Sequence, residues 1–365
     1  MSSAAPSASA LGAVRFEPRG YGLSMWIAMA LATLGCANAA GTDHQTVHGI
    51  TVSCPTWGWE WGSDAMASTL DVIASDGANW VAIHPYARIR PDGTVEFEPI
   101  DPEAPPAWLA RPIAEAHARG VAILIKPHLA YWGSGWSWRG AITLEEPGTA
   151  DRFFASYRAW IVDLARASST ADAFAVGTEL DGTIAHEAEW RRIIAEVRAV
   201  HPGHLTYASN WDRYPAVPFW DALDVVGVQA YFPIAEAGSW PEGEVPPVAL
   251  LDAGWTRVLA EVQAVHERTG KPVVFTELGY NRSARAPTTP WEAEGGGARA
   301  DEVQAAALEA SLRALDRAPF VVGAFLWKWF PGEVQRGNFR LSRPELREVV
   351  RGAWGQAEPR VRPTP

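Results

Sequence analysis

From residue 46 onward, short apolar β-rich runs alternate with longer helical segments, and this repeat constrains the fold more than any other feature. The runs are 49–53, 80–84, 121–127, 174–179, 205–209, 225–230, 272–277 and 322–327. Each is almost continuously apolar, as strands buried on both faces should be. The segments between them place apolar residues three and four apart: Met66, Leu70 and Ile73; Phe153, Tyr157, Trp160 and Leu164; Trp190, Ile193, Val197 and Val200; Trp255, Leu259, Val262 and Val265; Leu308, Leu312 and Leu315. Ser342-Arg-Pro-Glu345 reads as a capping box that opens a last helix. The fifth unit is the weakest, with only 219–223 available for its helix. Eight strand–helix units in one composition regime predict a single (β/α)8 barrel. An open doubly wound sheet is the runner-up. Against it, no Gly-rich phosphate loop follows the first run, and Gly295-Gly296-Gly297 lies in a loop that follows no strand closely.

The chain ends read differently. Residues 1–22 are small and polar, with Arg15 and Arg19 ahead of an apolar run at 23–35. That run has the length of a signal h-region and is too short to span a bilayer comfortably. Ala37-Asn38-Ala39 offers a cleavage site; Leu34-Gly35-Cys36 offers the competing reading, a lipoprotein signal that would acylate Cys36. Residues 1–39 are therefore expected to be a signal peptide or lipoprotein signal and linker, 40–355 the barrel, and 356–365 a Pro- and Arg-rich disordered tail. The expected destination is secreted or cell-envelope, as a monomer, with Cys36 as the lipid anchor in the second reading.

Net charge is −11, from 31 basic and 42 acidic residues, which opposes any nucleic-acid partner. Two Cys build neither a disulfide framework nor a structural zinc site, and Cys54 is expected to be unpaired. In a barrel of this kind the chemistry sits at strand C-termini. Two carboxylates stand there, Glu179 and Glu277, each in a Thr-Glu-Leu context on the fourth and seventh runs. A charge directly after an apolar strand is costly unless it is used. Glycoside cleavage needs such a pair, one carboxyl to protonate the leaving oxygen and one to attack or to activate water. An apolar, aromatic setting also favours the protonated form that a general acid requires.

The chain holds 19 Trp, and twelve of them fall at strand ends or in the loops that follow: 57, 59, 61, 132, 136, 138, 211, 220, 240, 291, 327 and 329. Indole faces stack on sugar C–H faces, while sugar hydroxyls need partners such as His84, His128, Lys126 and Asn210. His84 and His128 lack a third ligand at metal spacing, so no metal and no cofactor is expected. Lys126 as a Schiff-base lysine is disfavoured, because no phosphate site accompanies it. Asp181, Asp212, Glu60, Glu292 and Glu333 read as solvated or helix-start residues. Two functions remain: a glycoside hydrolase acting on polysaccharide or oligosaccharide, and a non-catalytic carbohydrate-binding barrel lipoprotein. The carboxylate pair favours the enzyme.

These residues resemble the clan A glycoside hydrolases, and within the clan glycoside hydrolase family 113, the β-mannanases. The matching pieces are Val176-Gly-Thr-Glu-Leu180, Leu205-Thr-Tyr-Ala-Ser-Asn-Trp211, Gly227-Val-Gln-Ala-Tyr-Phe-Pro233 and Pro272-Val-Val-Phe-Thr-Glu-Leu-Gly-Tyr280, with Lys126-Pro-His128, Trp138-Arg-Gly140 and Trp327-Lys-Trp329. The resemblance covers residues 46–355 and implies a retaining double displacement on β-1,4-mannosidic or related β-1,4-glycosidic bonds. It implies Glu277 as nucleophile and Glu179 as acid/base. It further implies that Tyr231 hydrogen-bonds Glu277 and that Trp327 is the platform under the sugar being cleaved. Substrate contacts are implied for His128, Asn210, Trp211 and Trp291, and expected for His84, Lys126, Trp138 and Tyr280 beside them. One position departs from the clan: Thr178 stands before the acid/base, where Asn is usual.

Overall fold

The computed structural model describes residues 46–334 and 337–355. The expected signal segment with Cys36 and the expected tail at 356–365 lie outside the described residues. Among the described residues there are eleven strands: β1 (Val47–Val52), β2 (Trp80–Ile83), β3 (Tyr86–Ile89), β4 (Val95–Glu96), β5 (Ala122–Ile125), β6 (His128–Ala130), β7 (Ala173–Thr178), β8 (His204–Asn210), β9 (Val226–Gln229), β10 (Val273–Leu278) and β11 (Val321–Trp329). Eight of them, one from each predicted run, close a parallel barrel in the order β1-β11-β10-β9-β8-β7-β5-β2. The predicted (β/α)8 barrel is the observed fold.

Among the described residues seven α-helices surround it: α1 (Asp64–Ser75), α2 (Ala107–Ala118), α3 (Thr149–Ala167), α4 (Glu187–Val200), α5 (Val248–Thr269), α6 (Ala300–Leu315) and α7 (Pro344–Trp354). Each lays one apolar stripe on the strands. On α4 the stripe is Trp190, Ile193, Ile194 and Val197, all buried. Each such side chain contributes roughly 1.5–3 kcal/mol on leaving water. Glu187 and Glu189 open α4 and Arg198 closes it, charges that suit the helix dipole. The fifth unit carries only short 3-10 turns, Tyr214–Ala216 and Trp220–Ala222, which matches its weak sequence pattern.

Close approaches fix two glycines. A Cβ on Gly49 would lie 2.4 Å from the Phe325 ring, which fills the barrel lumen with Ala82, Leu124 and Val274. A Cβ on Gly254, inside α5, would lie 1.8 Å from the Ile234 carbonyl oxygen. The last helix is tied to the end of α1 by Asp76, which is 1% exposed and accepts from Arg347 at 2.8 and 2.9 Å and from Arg351 at 2.6 Å. Among the described residues no helix is long and apolar enough to cross a membrane.

The structure adds to the sequence reading and corrects it. A second sheet, β4-β3-β6, stands over the second and third barrel strands. Its strands are two to four residues long, too short to leave a periodic signal. Helix α2 has Pro112 in its interior, which interrupts its pattern. The predicted capping box is absent: Arg343 is the N-cap of α7, no side chain caps it, and Pro344 sets the first turn by its fixed φ. Of the twelve strand-end tryptophans, Trp61, Trp220 and Trp329 are buried in the core. The Trp61 Nε1 donates to the Val52 carbonyl at 2.9 Å and the Trp220 Nε1 to that of Tyr214 at 2.9 Å, so both are packing residues with satisfied N–H groups.

Candidate active site

Strand alternation decides which side chains reach the barrel mouth. On β2 and β5 the pattern is regular: Ala82 and Leu124 point into the lumen, and two residues on, His84 and Lys126 point into the mouth above them. On β10 strict alternation from Val274 would turn Glu277 outward with Phe275. The register shifts against β9 between Phe275 and Glu277, and against β11 between Phe275 and Leu278. This bulge sends Leu278 into the outer core and leaves Glu277 on the inner side. The register also shifts on β7 between Ala175 and Thr178, and Glu179 follows with φ 56°, the left-handed region.

Glu277 is 3% exposed and carries a full set of partners. Lys126 donates to its Oε1, and Tyr231 donates to its Oε2 at 2.6 Å. His128 Nε2 stands 3.5 Å from Oε1, in contact but without a hydrogen bond. Burial opposes ionisation of Glu277, but the Lys126 ammonium overcomes it and holds the carboxyl well below its usual range. Burial also lowers Lys126, while Glu277 pulls it back up. The pair is therefore ionised, and Lys126 has a second acceptor in the Thr276 carbonyl at 3.1 Å. Burial and the nearby Glu277 charge push Tyr231 well above its usual value, so its hydroxyl is a donor.

Glu179 is half-buried and differently held. Arg139, in the loop after β6, donates to its Oε2 through Nε at 3.1 Å and Nη2 at 2.5 Å. Among the described residues the other side-chain donor to it is Gln229, whose Nε2 lies 3.5 Å from Oε1. Gln229 joins the two acids: its backbone pairs with Glu277 in the β9–β10 register, and its Oε1 accepts from Thr276 at 2.9 Å. Thr178, at the clan's Asn position, has a buried hydroxyl with no partner.

The aromatic walls follow. His84 and His128 stack at 4.7 Å, and Trp327 lies 5.5 Å from His84 and 6.1 Å from His128. Burial drives His84 well below its usual value and His128 down to about 3, so both rings are neutral. The Lys126 and Lys328 ammonium groups stand 5.2 and 4.7 Å from the Trp327 ring centroid, and a cis peptide joins Trp327 to Lys328. Across the mouth Trp211 stacks on Trp291 at 5.5 Å. Trp138 is 41% exposed and precedes Arg139. Asn210 donates to Asp181 Oδ2 at 2.6 Å. Asp181 opens the 3-10 turn Asp181–Thr183, so of the two expectations, solvated or helix-start, the second holds; it is buried, and burial raises its carboxyl to about 6. Tyr280 is buried among core residues. Among the described residues no group of three His, Cys, Asp or Glu side chains could hold a metal.

Two contributors fell outside the predicted set. Arg139 opens a 3-10 turn, Arg139–Ala141, too short to carry periodicity, although the Trp138-Arg-Gly piece pointed at it. Gln229 ends a barrel strand and was legible as a polar group where an apolar residue would pack.

The family model of glycoside hydrolase family 113 matches residues 55–337, most of the chain. The chain belongs to glycoside hydrolase family 113. It is thus a glycoside hydrolase, and its substrate is a carbohydrate. Among solved structures, the family 113 β-mannanase AaManA of Alicyclobacillus acidocaldarius, in complex with ManMIm, is 25% identical. The alignment covers 86% of this chain and 98% of that one, with a TM-score of 0.73. A second family 113 structure, a β-1,4-mannanase, is 22% identical with a TM-score of 0.73, over 86% of this chain and 100% of that one. The β-glucuronidase of Ruminococcus gnavus shares the fold alone, at 14% identity and a TM-score of 0.55, over 85% of this chain and 50% of that one. No curated protein matches the chain significantly.

Proposed function

We propose that this family 113 enzyme is a retaining β-1,4-mannanase with Glu277 as nucleophile and Glu179 as acid/base. The observation that carries this reading is the unequal holding of the two carboxyls. Glu277 is kept ionised by Lys126 and Tyr231, as a nucleophile must be. Glu179 is gripped by Arg139 through Oε2, and among the described residues the nearest side-chain donor to Oε1 is Gln229 at 3.5 Å, so Oε1 is the oxygen left to meet a glycosidic oxygen.

In the first step a Glu277 oxygen attacks the anomeric carbon as the C–O bond to the leaving sugar breaks. Glu179 gives its proton to the departing oxygen. The ester at Glu277 is neutral, so Lys126 loses its counter-charge but keeps the Thr276 carbonyl, 3.1 Å away. In the second step Glu179, now a carboxylate, takes a proton from water. The oxygen of that water attacks the anomeric carbon and releases Glu277. Trp327 is the platform for the sugar being cleaved, between His84 and His128 on one side and Lys328 beside it. The neutral imidazoles and the unpartnered Thr178 hydroxyl supply hydrogen bonds to sugar hydroxyls. Mannan as substrate rests on the family and on the named activity of the two structural relatives. Export of the enzyme, free or anchored through Cys36, is proposed on the signal-like residues 1–39 alone.

The test is a pair of variants assayed on β-mannan, glucomannan, xylan and β-glucan with the anomer of the first product resolved by NMR. Glu277→Ala should abolish turnover on every substrate. Glu179→Ala should cripple polysaccharide hydrolysis yet spare aryl glycosides with good leaving groups. A first product of inverted configuration, or a Glu277→Ala enzyme near the parent rate, would remove the mechanism.

A further inference from the structure

Beside the mouth lies a cavity of about 460 Å3 that the reaction above does not use. It sits between the loop after β1, the β3–β4 hairpin and the helices α2 and α3. Trp57, Trp59 and Trp108 line it, with Tyr86 on the side that faces the catalytic chamber. Trp57 is 41% and Trp59 62% exposed. Large aromatic faces left in water on a monomer mark a binding surface.

The lining chooses the ligand. Arg88 and Arg90 supply donors; Glu96 and Glu98 supply acceptors. Arg88 already lies over the Trp57 ring at 5.1 Å, and Arg90 pairs with Glu96 at 2.5 Å. Flat apolar rings beside balanced donors and acceptors suit a neutral sugar, which has C–H faces and hydroxyls that both give and accept hydrogen bonds. A phosphate or a uronate would leave the two Glu side chains opposed to it. The volume falls in the roughly 300–1,000 Å3 range of small-molecule sites.

The position chooses which part of the substrate arrives. The leaving sugar must lie on the Glu179 side, where β7 and β8 end and where Trp211 and Trp291 stack. The sugar that stays on Glu277 therefore extends the other way, over Trp327 toward β1 and β2. Tyr86 stands between that path and the cavity: its ring lies 5.2 Å from His84 and 5.9 Å from His128. Trp57 joins the same wall, edge-on to Tyr86 at 5.8 Å and to Trp132 at 6.3 Å. We propose that this cavity is a distal subsite for neutral sugar units on the non-reducing side of the bond cleaved, with Trp59 as its exposed platform. It makes the enzyme prefer long chains, and it rests on the proposed direction of the glycan across Glu179 and Glu277.

Trp59→Ala tests it, with Trp59→Tyr as the variant that keeps a ring. Trp59 is largely exposed, so the melting temperature should hold. On long β-1,4-manno-oligosaccharides KM should rise about tenfold, or ~1.4 kcal/mol. On an aryl β-mannoside it should not move, and Trp59→Tyr should recover most of the loss. An equal rise on every substrate, or no rise on any, overturns the proposal. Native-gel retardation by soluble glucomannan, run on Glu277→Ala with and without Trp59→Ala, gives a readout free of turnover. If the parent cleaves no β-mannoside, the mannanase reading fails by itself. The gel then decides the subsite: weaker retardation without Trp59 supports it, and unchanged retardation overturns it.

Discussion

Replacing Lys126 with methionine removes the cation that keeps Glu277 ionised and leaves the rest of the site in place. Lys126 is 0% and Glu277 3% exposed, so water cannot substitute for the lost partner. Taking one member from a buried ion pair costs about 3–5 kcal/mol, because the other charge is left uncompensated. Tyr231, at 2.6 Å, would be the one hydrogen bond left to the carboxyl. Glu277 would respond by taking a proton, since a cation within about 4–6 Å depresses a carboxyl by roughly 1–3 pH units. The acidic limb of the kcat/KM profile should therefore move up by that amount.

The sign for stability follows from the same shift. The folded-state value of Glu277 lies well below its usual 4.5, so the pairing stabilises the fold above that value and is lost only in strong acid. The stability gap between parent and Lys126→Met should be wide at neutral pH and narrow on acidification. Urea unfolding at several pH values measures the gap, and initial rates on β-mannan give the limb. Lys126→Met/Glu277→Gln should be more stable than the single variant, because it strands no charge. A single variant as stable as the parent with an unmoved acidic limb, or a double variant no better than the single, would refute the ion-pair account.

Three further changes test other parts of the molecule. Tyr231→Phe removes a buried hydrogen bond to a charged acceptor and should lower stability by about 1.5–3 kcal/mol in urea unfolding, with a fall in kcat/KM of roughly 10- to 100-fold if Glu277 is the nucleophile. Asp181 has a raised folded-state value of about 6 against an ordinary 3.8, so the stability it confers is full below the ordinary value and is lost as pH rises through about 6. Asp181→Asn should thus gain on the parent by up to about 3 kcal/mol between pH 4 and 7 in thermal unfolding, and a gap that stays flat with pH would contradict this. Gly254→Ala drives a methyl against the Ile234 carbonyl, 1.8 Å from an unshifted Cβ, and should destabilise by at least the roughly 1–3 kcal/mol of an overpacked core despite alanine's better helix propensity.

The barrel was legible because its strands are buried on both faces and so read as unbroken apolar runs. Glu179 and Glu277 were legible because a charge directly after such a run is conspicuous. The bulge that aims Glu277 inward was not, since nothing in Phe275-Thr276-Glu277 marks a register shift; it arises from pairing with β9 and β11. Arg139 was passed over because its partner is 40 residues away and its loop has no period. Asp181 looked like any loop carboxylate, and only the packing of Asn210 against it shows the burial. The tryptophans divide for a related reason. Indole serves a core and a sugar face equally well, so Trp61 and Trp59, two residues apart, could not be told apart until one proved buried and the other exposed.

The left-handed backbone at Glu179 has a consequence for how such a barrel can change over generations. A φ of 56° costs a residue with a Cβ about 1–2 kcal/mol, and glycine nothing. A single change to glycine would relax the turn, free Arg139 to meet a sugar hydroxyl, and leave every aromatic wall standing. The same change would strand the Arg139 guanidinium, so the relief of the turn is set against the loss of its ion pair with Glu179. If Glu179 has the proposed role, a route from hydrolase to lectin would need a second change, or a bound sugar, to replace the partner that Arg139 loses.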